Sequence, residues 1–203
     1  MNSTVATDRP RIPLADADQV AREIICHLDG AYERILVVGS TRRRVETVHD
    51  VELLVVPKYV TQTTDLFGGA TSTSALEERC SELRDTRVFV ADAPGVRKSW
   101  GPRLKRFMYH GVQTELYIVL PPAQFGLACV IRTGPADYAH QLVTPRNRTM
   151  QTFAGGKRSG LCPPEFQIQH LGIYHGADLI PTPEESDVFR VLGVPTFPPE
   201  SRR

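Results

Sequence analysis

The chain has 203 residues, 41% hydrophobic and 23% charged, enough apolar material for one good-sized soluble globular domain or two small ones. A net charge of +1 does not advertise nucleic acid, and four scattered cysteines with no C-x-x-C give neither a disulfide framework nor a zinc site. No apolar leader stands at the start, and no run approaches the roughly 18 apolar residues of a membrane span, so a reduced, cytoplasmic compartment is expected.

Residues 1–10 are polar and read as a flexible tail. Leu14, Ala17, Val20, Ala21, Ile24, Ile25 and Leu28 recur at helical spacing, with Pro13 at the start and Gly30 just past the end. Cys26 and Cys129 fall within such apolar helical patterns and read as small core residues. Two apolar runs, Ile35–Val38 and Val51–Val56, read as buried strands.

Between those runs lies a Gly39-Ser40 turn that leads into Arg42, Arg43 and Arg44. Gly39 permits a tight bend and a close backbone approach, and Ser40 and Thr41 start a short helix with N–H groups and hydroxyls for an anion. Three arginines in a first helical turn oppose the helix dipole, which makes more sense beside a polyphosphate. Asp50 and Glu52, two residues apart on a strand, share a face. Two adjacent carboxylates repel, and hard oxygen ligands of this kind suit Mg²⁺ holding phosphates. Solvated faces are the competing reading for the acids and the arginines.

Tyr59 to Ser74, rich in Thr, Gly and Ser, reads as a flexible loop. A helix at Ser74–Leu83, a strand at Thr86–Val90 and a turn at 92–95 follow. Leu104–Tyr109 and Val112–Leu120, joined by His110-Gly111, give a hairpin signal. In the second of these strands Glu115 is the lone acid, and a buried Glu is costly unless paired or metal-bound. Ala123–Arg132 is helical and runs into Thr133-Gly134-Pro135, which matches an ordinary helix C-terminus. Gly155–Gly160 lacks the Gly and Ser/Thr that a phosphate-binding G-x-x-x-x-G-K-[ST] loop requires and reads as a mobile basic loop. Near the end Thr182 and Glu185 have capping-box spacing. Basic residues cluster at 42–44, 97–106 and 146–158, local patches able to follow a phosphate backbone.

The pattern Gly39-Ser40-x-Arg42-Arg43, then Asp50-Val51-Glu52, then Gln113-Thr114-Glu115-Leu116 before Pro121, resembles the palm of the X family of DNA polymerases, the DNA polymerase beta group. Arg132-Thr133-Gly134 and the ending Leu192-Gly193-Val194-Pro195, with Pro198-Pro199-Glu200, are similar to that family's nucleotide-facing turn and thumb tail. The resemblance implies an α+β fold: a palm at 11–121, with a mixed or antiparallel sheet and helices on one face, and a small α/β thumb at 122–203. It implies a chain that starts at the palm, without the upstream DNA-binding and fingers regions, and a monomer.

It further implies a nucleotidyltransferase that adds a dNMP to the 3′-hydroxyl of a DNA primer or gap end. Asp50, Glu52 and Glu115 would be catalytic ligands of two Mg²⁺ ions, with Mn²⁺ as a substitute. Gly39, Ser40, Arg43, Thr133 and Gly134 would hold the dNTP. The chain departs from the family at Glu52 and Glu115, where Asp is usual, and at Arg44 and His49, where Gly is usual. Two alternatives stay open: a catalytically weakened module that binds nucleotides or DNA ends, and a nucleotidyltransferase with a non-DNA acceptor.

Overall fold

The computed structural model describes residues 10–63, 70–94, 99–121 and 123–202. Most of the expected tail, as well as Gly95, Arg97, Lys98 and Pro122, lies outside them. The fold is mixed α+β. In chain order it opens with β1 (Ile12–Pro13), α1 (Leu14–His27), β2 (Tyr32–Val38), a single helical turn α2 (Gly39–Arg42), β3 (Thr47–Val48) and β4 (Val51–Pro57). There follow β5 (Tyr59–Thr63), β6 (Ala70–Ser74), α3 (Ala75–Asp85), β7 (Leu104–Tyr109) and β8 (Val112–Ile118).

The main sheet has the order β2-β4-β8-β7, with β4 and β8 parallel and the outer pairs antiparallel. β4 is central, and its unbroken Val/Leu run reflects burial on both faces. Val51, Leu53 and Val55 meet Ala17, Val20, Ala21, Ile24 and Leu28 of α1 and Leu76, Cys80 and Leu83 of α3 in one core. The α1 stripe has the spacing that the sequence predicted, and Pro13 stands at its N-cap. Cys26 is exposed, against expectation. It follows Ile24 by two residues, about 200° round the helix, which turns it away from the sheet.

Leu54 and Val56, pointing the other way, pack with Val38, Tyr117 and Val119 against Phe125, Ala128 and Cys129 of α4 (Phe125–Thr133). Helices therefore cover both faces of the sheet rather than one. The rest of the C-terminal part comprises α5 (Ala136–Val143), β9 (Thr149–Gln151), β10 (Lys157–Ser159), β11 (Phe166–Gln169), β12 (Gly172–His175), β13 (Asp178–Ile180), α6 (Glu185–Leu192) and a terminal 3₁₀ turn at Pro199–Ser201. Leu127 and Val130 of α4, Tyr138, Leu142, Ile173, Val188, Phe189 and Leu192 form its core. α4 thus serves two cores at once. Gly126 lets it sit directly on the chain before α6: a Cβ there would stand 2.2 Å from the Glu184 carbonyl oxygen.

Four local expectations are corrected. Residues 59–63 and 70–74 are not loop but the antiparallel ladder of β5 and β6, for which the β-branched threonines are well suited. Thr86–Val90 is no strand: Thr86 caps α3, Arg87 takes φ +62, and Val90 alone bridges to Met108. Lys157–Ser159 pairs with β9 instead of lying in a loop. The cap of α6 falls two residues later than expected, with Glu184 and Asp187 as the capping box; the Thr182 hydroxyl donates to the Ala123 carbonyl instead. The β7–β8 hairpin forms as expected, with His110 and Gly111 both at positive φ. Among the described residues no helix is long and apolar enough to cross a membrane.

Candidate functional site

Sheet register assembles the site. Glu52 lies beside Val38 on one side and Glu115 on the other. The residue after Val38 is Gly39, so the Gly-Ser turn leaves the sheet against the Glu52 side chain. Gly39 has φ +68, and a Cβ on it would fall 1.8 Å from Glu52 Oε2. Only glycine meets both demands, the left-handed backbone and the contact with a carboxylate.

Asp50, just ahead of β4, is half-buried, and its charge acts on both Glu52 and Arg106. Burial, followed by the charges of Asp50 and Glu115, pushes the Glu52 carboxyl up to about 7 against the pull of Arg132 and Arg43. The three acids singled out in the sequence are therefore one electrostatic cluster. Glu115 is already engaged: it accepts from the Arg106 guanidinium, from the Tyr117 hydroxyl and, at 3.4 Å, from Gln113 Nε2. Arg106 reaches it from the neighbouring strand because the two are register partners in β7 and β8. The Arg106 cation and these hydrogen bonds account for the burial of Glu115, and the Tyr117 hydroxyl is held far above its usual range by burial and by Glu115. Among the described residues no three His, Cys, Asp or Glu side chains already stand in a metal-coordinating group. Asp50 and Glu52 have the chemistry to take a hard cation, whereas Glu115 is held by Arg106 and Tyr117.

The expected nucleotide-binding residues also meet. The Arg43 guanidinium donates to the Thr133 carbonyl, and a Cβ on Gly134 would lie 3.1 Å from Arg43 Nη1. Burial holds the Arg43 pKa down, with the Glu52 charge opposing and Arg202 reinforcing. Ser40 is half-buried in the turn, whereas Thr41 is 1% exposed and its hydroxyl is unpartnered among the described residues.

The arginine run is divided. Arg42 donates to Glu185 at 2.8 and 3.2 Å and to Thr133 Oγ1 at 2.7 Å, and Arg44 pairs with Asp18 at 2.7 Å. Those two fasten the turn to α6 and α1, and Arg43 alone faces the acids. Arg202, 5% exposed near the C-terminus, completes the fastening by pairing with Glu185 at 2.8 Å.

Sequence reasoning missed Arg106 and Tyr117 as partners of Glu115. It read Arg132 as part of a nucleotide-facing turn and not as a neighbour of the acids; the side chain lies over the Tyr117 ring at 3.8 Å and pulls on Glu52. The Arg132 Nε is buried with no hydrogen-bond partner among the described residues. A cavity of about 230 Å³ opens beside it, lined by Leu54, Leu104, Tyr117, Val119 and His170 among others. Register was the signal available for Arg106: strands joined by a two-residue turn at 110–111 place residue 106 opposite 115. The chain matches no protein-family model and no curated protein.

Proposed function

We propose that the chain is a DNA polymerase beta-like nucleotidyltransferase that joins a dNMP to a DNA 3′-hydroxyl, in short-gap filling or DNA repair. One observation carries this reading. Four pieces far apart in sequence, residues 39–43, 50–52, 115 and 132–134, converge at one end of β4, with acids facing a glycine turn and an arginine.

Asp50 and Glu52 would hold Mg²⁺, with Glu115 completing the set. The chemistry that bound Mg²⁺, or Mn²⁺ in its place, supplies is activation of the acceptor hydroxyl and neutralisation of the triphosphate. Arg43, anchored on the Thr133 carbonyl, sets a positive charge beside the acids where a triphosphate would lie, and Ser40 adds a hydroxyl. Gly39 and Gly134, lacking side chains, leave room for the Glu52 carboxylate and the Arg43 guanidinium to lie against the backbone. Catalysis of this kind is positioning plus charge stabilisation.

The test is extension of a one-nucleotide-gapped duplex with Mg²⁺ or Mn²⁺ and each dNTP. Asp50→Ala is expected to lower template-matched extension by about 10²- to 10³-fold while leaving the fold intact by circular dichroism. Equal extension by wild type and Asp50→Ala overturns the assignment. The engagement of Glu115 by Arg106 and Tyr117 favours one second reading, a catalytically weakened module that binds nucleotides or DNA ends. DNA binding without extension in either metal would select it.

A further inference from the structure

The β9–β10 hairpin takes no part in the site described above. Its turn is tightly made: the Thr152 amide donates to the Gly156 carbonyl at 2.8 Å, the Gly155 amide to the Thr152 carbonyl at 2.9 Å, and the Gly156 amide to Thr152 Oγ1 at 3.0 Å. Thr152 and Met150 face inward, at 9% and 5% exposure. Phe153 faces outward and is 82% exposed, the most exposed large hydrophobic residue among those described. Its backbone is nevertheless pinned, because its amide donates to Asp137 Oδ1 of α5 at 2.9 Å.

A lone exposed apolar residue is ordinary. Here it is combined with a fixed backbone and a local excess of cations; the nearby Asp137 carboxylate is engaged by the Phe153 amide. Segment 145–162 carries Arg146, Arg148, Lys157 and Arg158 and no carboxylate. Arg146 is used internally, on the carbonyls of Leu161, Leu192 and Gly193. Arg148, Lys157 and Arg158 are exposed and form no ion pair among the described residues. Lys157 stands opposite Gln151 and Arg158 opposite Met150, so the two cations leave the ribbon on opposite faces, Lys157 on the outer one.

We infer that this hairpin is a stacking finger for single-stranded nucleic acid: Phe153 takes the face of an unpaired base while Arg148, Lys157 and Arg158 contact the phosphates. An aromatic platform beside cations binds single strands with little sequence preference, since every base has a π-face and every nucleotide a charge. The ordered turn presents the ring without a cost of ordering the loop on binding. The inference rests on the nucleic-acid reading above and adds to it the form of the acceptor, an unpaired strand beside the primer end.

The full-length protein is titrated into a 12-nucleotide single-stranded DNA carrying one 2-aminopurine, with anisotropy and base fluorescence followed together. Wild type is expected to bind and to quench the probe. Phe153→Ala should bind about 10-fold more weakly and lose the quench, and Phe153→Trp should restore both. Lys157→Gln with Arg158→Gln should reduce the slope of log Kd against log salt by about 1.4, at roughly 0.7 per phosphate contact on single strands. Phe153→Ala binding within about twofold of wild type with the same quench overturns the inference, as does attachment to anionic phospholipid vesicles without oligonucleotide binding. Gap extension is read separately. A protein that extends with an unchanged Phe153→Ala quench loses only the finger; one that stacks on the oligonucleotide yet never extends keeps the finger and loses the polymerase reading.

Discussion

The two faces of the main sheet are built from alternate residues of the same strands, yet they do opposite things. On the α1/α3 face, Leu53, Val55, Phe107 and Leu116 are fully buried, and Phe89 stacks on Phe107 with ring centroids 4.0 Å apart. A buried cation on this face, Lys105, is closed off by Glu77 at 2.7 Å and by the Trp100 ring. On the α4 face, the next residue along, Arg106, meets Glu115 in a patch that also holds Glu52, Tyr117 and Arg132. The first face is packed for stability. The second concentrates like charges that folding alone would not choose, which is how functional sites depart from the rules of packing.

Substitutions on each face sharpen the contrast. Phe107→Ala, which opens a hole in the apolar face, should lower unfolding free energy by about 3–5 kcal/mol in urea titrations. Arg106→Met should cost about 3 kcal/mol, because Glu115, 10% exposed at its side chain, is left charged without its partner. A near-neutral Arg106→Met would mean that Glu115 is not held by that pair. The same assay on Asp50→Ala should show little change despite the expected loss of extension.

The junction between the α4 face and α6 gives a pH signature. Burial raises the Glu185 pKa, but bonds to Arg42 and Arg202 outweigh it and leave it below its ordinary 4.5. A carboxyl with a lowered folded pKa contributes stability that is present above pH 4.5 and is lost as pH falls through the lower folded value. The melting temperature should therefore drop on acidification below pH 4.5, and Glu185→Gln should flatten that limb. An unchanged limb would place the acid sensitivity elsewhere. Lys105→Met should cost less than Arg106→Met, within about 1.5 kcal/mol, since Glu77 is 49% exposed and returns to water when its partner goes. A loss as large as that of Arg106→Met would erase the distinction between the faces.

Much of this was legible in the chain. The α1 stripe, the two apolar strands and the His110-Gly111 hairpin follow from period and turn chemistry, which act over a few residues. The failures have a common cause as well. Residues 59–63 and 70–74 read as loop because threonine and serine are polar, whereas pairing of one strand with the other is what makes them a ladder. Thr182 and Glu185 had the spacing of a cap, but each found a stronger partner elsewhere, in the Ala123 carbonyl and in Arg42 with Arg202.

By itself, then, the sequence determined which residues are apolar on which face, because backbone geometry sets those periods. Tertiary structure alone decided that Glu52 neighbours both Gly39 and Glu115, that one arginine of three faces the acids, and that Arg106 and Tyr117 hold the third acid. Those contacts, together with the Arg42–Glu185 bond that diverts a second arginine, join residues up to 143 positions apart. Their partners are chosen by sheet register and helix docking, which no local pattern encodes.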